Sequence, residues 1–241
     1  MGLYKTTQFK DPIYIGDPIN AIRIFNEKEV DELLLLDIDA TTKGKEPNIT
    51  LISEIASECF MPLSYGGGIK NIDQITSLFQ VGIEKVVLSS LAYDKPDLIR
   101  EAVKRFGSQS IVVCMDVKPG YFGNYSVYSH NGTRKLKVNI LEYAKRLEQT
   151  GIGELIISSI DKDGTMTGYD LNVLQYISNE VNIPVVACGG AGNIYDFKKA
   201  IDAGASAVAA GASFVFHGKR RGVLISYPER KELINLFNYY Q

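Results

Sequence analysis

The sequence has no tryptophan, only two histidines and only three cysteines among its 241 residues. Three cysteines (Cys59, Cys114 and Cys188) are too few and too scattered for a disulfide framework or a metal site. Neither His130 nor His217 has a second ligand residue at metal-binding spacing. The sequence therefore predicts no metal site and indicates no cofactor. Cys114 and Cys188 lie in apolar runs, where we expect buried, reduced thiols.

A strong charge of either sign is also missing, since 26 Lys and Arg stand against 28 Asp and Glu, for a net charge of −2. This balance argues against non-specific nucleic-acid binding and against a polybasic membrane anchor. The longest apolar stretches, such as 33–36 and 205–215, are too short to span a bilayer, and no signal peptide is recognisable. We expect a cytoplasmic protein with neither a nucleic-acid nor a membrane partner.

Apolar runs instead alternate with segments of helical period, in a chain that is 45% hydrophobic. A length of 241 residues suits two ordinary domains or one α/β barrel, and no linker-like stretch divides the chain. The sequence thus predicts one α/β domain over residues 1–241. The predicted strands are 33–38, 61–65, 85–89, 110–115, 154–160, 184–187 and 207–210. The predicted helices are 18–29, 49–59, 71–81, 96–106, 140–150, 172–180, 194–203 and 227–238, with Pro228 in the first turn of the last one.

An internal repeat refines this prediction. The segment 62–71 is similar to 184–193, so that Gly67 and Gly189 lie 122 residues apart, and Gly82 and Gly204 keep that offset. Two similar halves of four strand–helix units predict a (βα)8 barrel made of two half-barrel repeats. The strand 110–115 opens the second half, but its first-half counterpart would fall before Met1. We therefore count seven strands and expect strand one to be missing from this chain.

In such a barrel, ligands bind where strands end in loops. Two glycine-rich turns directly follow strands, and each is paired with small or hydroxylic residues after the next strand. Glycine lets backbone N–H groups approach a phosphate closely, although such a turn is also common as a purely structural feature. The pairing predicts a substrate with a phosphate at each end, bound by Gly67, Gly68, Ser89 and Ser90 in the first half and by Gly189, Gly190, Ala212 and Ser213 in the second.

Carboxylates supply the candidate acid–base chemistry. Asp116 follows a predicted strand, which is good placement for a general acid or base, although a strand-end Asp can also cap the next loop. A polar loop over 158–170 follows another strand. Substrate contact and hydrogen bonding within the loop are equally good explanations for its members Asp161, Asp163, Gly164 and Thr165. Residues 129–132 predict a hairpin turn between strands 125–129 and 135–138.

Together these motifs resemble HisF, the cyclase subunit of imidazole glycerol phosphate synthase, a (βα)8 barrel of histidine biosynthesis. The resemblance extends from about Lys5 to Phe216. The isomerase HisA shares the fold and the duplication, but the residues 167–170 and the hairpin around Asn131 look more like HisF. The most specific segments are 36–40, 66–69, 115–118, 159–170 and 188–192.

The resemblance implies a lyase reaction carried out by a heterodimer. A glutaminase subunit, HisH, would release ammonia, which passes through the barrel core. At the other mouth the ammonia reacts with a bis-phosphorylated ribulosyl-formimino carboxamide nucleotide to give imidazole glycerol phosphate and aminoimidazole carboxamide ribotide. Asp116 is similar to one of the two catalytic Asp residues of such cyclases, and the phosphate-binding turns carry over to the glycines and serines named above. Glu32, Lys85 and Glu154 match three members of a charged gate for ammonia.

The chain departs from the HisF pattern at its start. The catalytic Asp and the gate Arg of strand one have no counterpart, and residues 1–9 look like the loop that follows that strand. Asp39 and the stretch 9–16 look more like a paralogue that serves a glutaminase and a sugar amidotransferase in surface-polysaccharide amidination. Two functions therefore stay open, namely a cyclase and an ammonia-conducting subunit.

Overall fold

The main sheet of the computed structural model, which describes residues 2–120 and 123–238, contains seven parallel strands. The strands of the protein are β1 (Leu3–Thr7), β2 (Lys10–Gly16), β3 (Leu33–Leu36), β4 (Leu63–Gly66), β5 (Lys85–Leu88), β6 (Ile111–Pro119), β7 (Tyr125–Ser129), β8 (Arg134–Lys135), β9 (Glu154–Ser159), β10 (Val185–Cys188), β11 (Ala207–Ala209), β12 (Phe216–His217) and β13 (Gly222–Val223). The seven predicted strands correspond to β3–β6 and β9–β11. The predicted α/β class is confirmed.

Helices connect successive parallel strands. They are α1 (Pro18–Glu27), α2 (Ile49–Glu58), α3 (Ile72–Gln80), α4 (Ser90–Asp94), α5 (Pro96–Phe106), α6 (Ile140–Glu148), α7 (Leu171–Ser178), α8 (Ile194–Asp202), α9 (Ala212–Val215) and α10 (Arg230–Asn238), with a 3₁₀ turn at Ser108–Ser110. None of those in the described ranges has the length and apolar character needed to cross a membrane.

The helix starts are set by short polar side chains. An Asp or Asn side chain accepts hydrogen bonds from the first backbone N–H groups of six helices. Each such cap contributes about 1 kcal/mol, so these positions define where the chain leaves a loop. The capping residues are Asp17, Asn48, Asn71, Asn139, Asp170 and Asn193.

Strand order follows the chain, in the sequence β3-β4-β5-β6-β9-β10-β11. All neighbours in this order are parallel. One face of the sheet packs against the helices through a large apolar core that includes Leu88, Val113 and Leu155. Over the residues that the structure describes, β3 and β11 each pair with a single neighbour, so that each leaves its other edge unpaired. This curled parallel sheet with its connecting helices is consistent with a barrel of the TIM type.

Three antiparallel hairpins lie outside the parallel repeat. The first, β1–β2, turns at Gln8 and Phe9, which both have positive φ. The second, β7–β8, pairs with β6, and the third is β12–β13. The expectation of a loop over 1–9 is wrong for the described part of that segment, because the hairpin β1–β2 occupies it.

Three element ends also differ from the prediction. Strand β6 continues to Pro119 rather than ending at 115, because its last residues pair with β7. Strand β8 is Arg134–Lys135 rather than 135–138, since Asn139 already caps α6. Pro228 is not in the first turn of α10: the Glu232 side chain accepts from the Glu229 backbone N–H, so the helix starts after Glu229.

Candidate active site at the carboxyl ends of the strands

On the face of the sheet that points away from the helices, the side chains form layers that follow one another along the strand direction. Alternate residues of a strand share a face. In β5, Lys85 and Val87 therefore lie on this face, and so does Ser89, which directly follows the strand. A second apolar cluster forms the middle layer. Charged residues precede it at the amino ends of the strands, and polar residues follow it at the carboxyl ends. The residues of this cluster are Leu34, Val87, Val112, Cys114, Ile156, Val186, Cys188 and Ala209.

Asp116 occupies the polar layer. It is 8% exposed and lies opposite Ser158 of β9 in the parallel register. Burial raises the pKa of this carboxyl from 3.8 to about 7, and the charge of Asp163 adds to the rise. Hydrogen bonds from Cys114, Ser158 and Ser89 offset part of it, and the Cys114 Sγ lies 3.7 Å from Asp116 Oδ1. A carboxyl with this pKa can both accept and deliver a proton near neutral pH.

The two predicted glycine turns lie at the ends of β4 and β10. Gly67 and Gly190 have φ values of 117° and 116°, a region that L side chains rarely adopt. A Cβ on Gly67 would lie 2.5 Å from Asp37 O, and one on Gly190 would lie 2.2 Å from Gly168 O. Each turn is therefore packed directly on the loop that follows the neighbouring strand. Gly68 and Gly189 have positive φ as well, and a Cβ there would lie 2.7 Å from Lys45 O and 2.8 Å from Ser159 O, respectively.

The serines predicted to accompany the turns have different surroundings. Ser89 hydrogen-bonds to the carboxylate of Asp116, and Ser90 Oγ accepts the backbone N–H of His130 at 3.1 Å. Ala212 is buried. The Ser213 Oγ is buried and has no hydrogen-bond partner in the part of the chain that the structure covers. The first serine pair is thus tied to Asp116 and to the β7–β8 turn.

The loop after β9 is covered by the first hairpin. Lys5 Nζ lies 2.7 Å from Asp163 Oδ1, and Thr6 Oγ1 donates to Asp163 Oδ2 at 3.0 Å. Gln8 Nε2 donates to the backbone O of Asp161 at 2.9 Å. A Cβ on Gly164 would lie 2.2 Å from Thr6 O. The hairpin therefore contacts the same loop that the sequence offers as a substrate contact.

Thr165 and the other strand-end carboxylates are engaged locally. Thr165 Oγ1 donates to Lys162 O at 2.8 Å and lies 2.9 Å from Thr167 Oγ1. Asp37 Oδ1 accepts the backbone N–H groups of Asp39 and Ala40. These contacts favour the explanation of loop-internal hydrogen bonding for Thr165, and Asp37 likewise accepts from its own loop.

The three charged residues predicted to form an ammonia gate, Glu32, Lys85 and Glu154, meet at the opposite end of the strands. Lys85 Nζ lies 2.6 Å from Glu154 Oε1 and 2.8 Å from Glu32 Oε2, and Ser64 Oγ donates to Glu32 Oε1. Burial lowers the pKa of Lys85, but hydrogen bonds to the two glutamates and their charges outweigh it, so that the pKa is raised overall. The arrangement places one cation between two anions below the apolar layer.

The thiols and histidines add no metal site. Cys59, Cys114 and Cys188 are free, and burial raises the pKa of Cys188 to about 12. His130 lies in the β7–β8 turn, and His217 is exposed on β12. In the ranges 2–120 and 123–238, no group of three or more His, Cys, Asp or Glu residues is arranged to hold a metal ion.

Sequence reasoning missed Lys5, Thr6 and Arg221. Lys5 and Thr6 fall in a segment expected to be a loop, but the structure places them in β1, where Thr6 is buried. Arg221 lies beyond the segments that carried the resemblance, and its guanidinium reaches back to the loop after β9. No regular alternation of apolar and polar residues over 3–7 indicates the first hairpin.

Comparisons with known proteins place the chain in a family. Residues 1–220 match a protein-family model described as histidine biosynthesis protein. A Pseudomonas aeruginosa protein provisionally named imidazole glycerol phosphate synthase subunit hisF2 is 53% identical over 96% of this chain and 93% of its own length. A Vibrio vulnificus protein provisionally named subunit hisF3 is 46% identical over 98% and 92%. The imidazole glycerol phosphate synthase subunit HisF of Alkaliphilus metalliredigens is 36% identical over 96% and 90%.

Proposed function

The chain belongs to the histidine biosynthesis protein family, and from that premise we propose that it is the cyclase subunit of imidazole glycerol phosphate synthase. It would use glutamine-derived ammonia to convert a bis-phosphorylated ribulosyl-formimino carboxamide nucleotide into imidazole glycerol phosphate and aminoimidazole carboxamide ribotide. The observation that carries the proposal is the Asp116 carboxyl, which is buried at the carboxyl ends of the strands and has a pKa of about 7.

Asp116 has the properties that ammonia chemistry requires. When ammonia adds to a carbonyl carbon and the oxygen leaves as water, the nitrogen loses two protons and the oxygen gains two, one as the carbinolamine forms and one as it loses water. A carboxyl whose pKa lies near the operating pH serves both transfers, and such groups contribute about 10²- to 10⁴-fold in rate. Cys114, Ser89 and Ser158 hold the carboxylate in place by hydrogen bonds. Asp116 is therefore assigned as a general acid and base.

The two glycine turns and the polar residues beside them would bind the two phosphates of the substrate. Gly67 and Gly68 follow β4, and Gly189 and Gly190 follow β10, on either side of β6 and β9 in the strand order. Asp116 of β6 thus lies between the turns. This spacing suits a substrate with a phosphate at each end and its reacting centre in the middle.

We further propose that the fold is a (βα)8 barrel of two half-barrel repeats, and that an eighth strand belongs between β3 and β11. The repeat is supported by equivalent roles, since Asn71 and Asn193 cap α3 and α8, and Gly82 and Gly204 follow these helices with φ of 99° and 100°. The unpaired edges of β3 and β11 support the position of the additional strand. In this proposal the described residues form one domain.

Ammonia would enter at the charged cluster of Glu32, Lys85 and Glu154 and pass along the apolar layer to Asp116. A neutral molecule crosses an apolar layer more readily than ammonium, because the charged form is costly to desolvate. We propose a glutaminase subunit of the HisH type as the partner that supplies the ammonia at this end.

Turnover of the carboxamide nucleotide with saturating ammonium tests the cyclase proposal. We expect turnover by the wild-type chain and a loss of about 10²-fold or more in Asp116→Asn. Asp97→Asn is the matched control, because it removes an exposed carboxylate of α5. This variant should keep full turnover. A folded wild-type chain without turnover would contradict the cyclase proposal.

A second candidate is ammonia delivery to a sugar amidotransferase. The higher identity to the relatives numbered hisF2 and hisF3 favours it. In this case Asp116→Asn would leave glutamine-dependent amidination of the sugar unchanged in the assembled complex. Lys85→Met, which alters the charged cluster, would change that rate. The effect of Asp116→Asn therefore separates the two functions, and the effect of Lys85→Met tests ammonia entry.

A further inference from the structure

Arg221 lies in the β12–β13 hairpin, outside the residues assigned so far. Its side chain turns back to the loop after β9, where Nη2 donates to Gly164 O. Nη1 lies 3.4 Å from Thr7 Oγ1 of the first hairpin, and Cζ lies 4.7 Å from the centroid of the Phe216 ring. The guanidinium is thus held between three segments at the carboxyl ends of the strands.

This guanidinium has an unused donor. Its Nε is buried and has no hydrogen-bond partner among residues 2–120 and 123–238. Arg221 also forms no ion pair with a carboxylate in these ranges. Its backbone has a φ of +52°, which is uncommon for a residue other than glycine. A buried donor without a partner is costly, so a contact that serves only to fix the hairpin does not account for the Nε.

The surroundings of Arg221 are those of the second glycine turn. Phe216, beneath the guanidinium, shares a small apolar cluster with Ala212 and Met166. The loop that Arg221 contacts at Gly164 also packs on this turn, because a Cβ on Gly189 would lie 3.5 Å from Asp163 Cα. Ser213, next to Ala212, has a buried hydroxyl oxygen that lacks a hydrogen-bond partner in the described ranges. An unpaired donor and an unpaired hydroxyl thus belong to adjoining loops.

A second cation adjoins the same loops. The Lys5 side chain lies 3.2 Å from where a Cβ on Gly211 would be. Lys5 is paired with Asp163, whereas the contacts of Arg221 within the described ranges are with neutral oxygens and a ring. The positive charge of Arg221 is therefore available for an anion.

We propose that Arg221 binds a phosphate group of the ligand at the second glycine turn, together with the Ser213 hydroxyl. A planar guanidinium binds a phosphate through two parallel donors. The phosphate would accept from the unpaired Nε and from one Nη, which would leave its present protein oxygen. This inference rests on the proposed function in so far as that function assigns a phosphate to this turn.

Binding of inorganic phosphate to the full-length chain at fixed ionic strength tests the proposal. Titration calorimetry gives the affinity, and the rise of Tm with phosphate concentration reports the same binding. For Arg221→Gln we expect affinity at one class of site to fall about 10- to 100-fold, with most of the phosphate-dependent Tm rise lost. Arg221→Lys keeps the positive charge but loses the paired donors of the guanidinium. Its phosphate affinity should lie between those of the wild type and Arg221→Gln.

The matched control is Arg220→Gln, which removes the same charge from an exposed neighbour and should change the affinity less than about twofold. A structural role for Arg221 would lower the Tm of Arg221→Gln without phosphate but leave the phosphate-dependent rise intact, and that result would overturn the proposal. An equal loss in Arg220→Gln, or no phosphate binding by the wild type, would overturn it too.

Cyclase turnover is measured separately on the same proteins. Wild-type turnover together with unchanged phosphate binding in Arg221→Gln would overturn only the assignment of Arg221. Absence of wild-type turnover together with lost phosphate binding in Arg221→Gln would contradict the cyclase proposal and leave the assignment of Arg221 standing.

Discussion

The Lys5 ammonium lies 2.7 Å from the Asp163 carboxylate and joins the first hairpin to the loop after β9. Both side chains are largely buried, at 20% and 13% exposed, so this ion pair is screened less than a surface pair. Thr6 shares the same carboxylate. The hairpin is therefore held at the carboxyl ends of the strands by charge as well as by backbone contact.

Lys5→Met should loosen this hairpin. Hydrogen bonds to charged groups contribute about 1.5–3 kcal/mol, so backbone amides of Leu3–Thr7 should exchange with deuterium about tenfold faster or more. Lys10→Met, at an exposed lysine of the same hairpin, is the control. Equal protection in wild type and Lys5→Met would show that backbone contacts alone hold the hairpin.

The stability of the protein should depend on pH through Asp116. Its pKa is raised from 3.8 to about 7 on folding, so the folded state binds the proton more tightly than the unfolded state. The free energy of unfolding therefore falls as pH rises between these values, by an amount on the order of 4 kcal/mol. Below this window the carboxyl is neutral in both states, and the penalty vanishes.

Asp116→Asn removes that dependence, because the amide does not titrate. Denaturant unfolding at several pH values should show wild type losing stability relative to the variant between about pH 4 and pH 7, with a constant difference above. Asp97→Asn measures the effect of removing one exposed carboxylate. Parallel pH profiles for wild type and Asp116→Asn would contradict the burial of a charged carboxylate.

Lys85 should matter more for stability than either of its partners. Lys85→Met leaves the carboxylates of Glu32 and Glu154 close together without their cation, whereas Glu32→Gln keeps the pair of Lys85 with Glu154. We expect Lys85→Met to lower the free energy of unfolding by about 1–3 kcal/mol, and Glu32→Gln, at a 37% exposed side chain, by less. A larger loss in Glu32→Gln, measured in urea, would disprove the central role of Lys85.

Gly190 should not tolerate a side chain. Alanine there combines a φ of 116° with a Cβ placed 2.2 Å from Gly168 O, and we expect a loss of about 3 kcal/mol or more. Gly218 also has positive φ (69°) but open space around it. Gly218→Ala should therefore cost only about 1–2 kcal/mol. A similar decrease in Tm for the two variants would mean that the Gly190 turn accommodates a Cβ without additional destabilisation.

Strands and helices could be predicted because their signals are local. Continuous apolar runs such as those of β9 and β10 are buried on both faces, and an Asn or Asp precedes most helices. The hairpin β1–β2 could not be predicted in this way, because its residues are mostly exposed and its position depends on Asp163, far along the chain. The end of β6 was likewise decided by pairing with β7.

Within the candidate site, the repeat and the strand-end positions indicated Asp116 and the glycine turns, and the family resemblance implied Glu32, Lys85 and Glu154. The sequence did not show that Thr165 is engaged within its own loop, that Ser90 is tied to the turn at His130, or that Arg221 reaches Gly164. These contacts join segments that lie 40 or 57 residues apart or depend on the rotation of a single hydroxyl.

The sequence by itself determined the α/β class, the order of strands and helices, and the family, because apolar period, capping residues and glycine spacing are properties of neighbouring residues. The tertiary structure decided the charge environment. It buried Asp116 and so raised its pKa, placed Lys85 between two glutamates, and left the Arg221 Nε without a hydrogen-bond partner among the described residues. Desolvation and Coulomb energies depend on distances between residues remote in sequence, and only the folded chain fixes those distances.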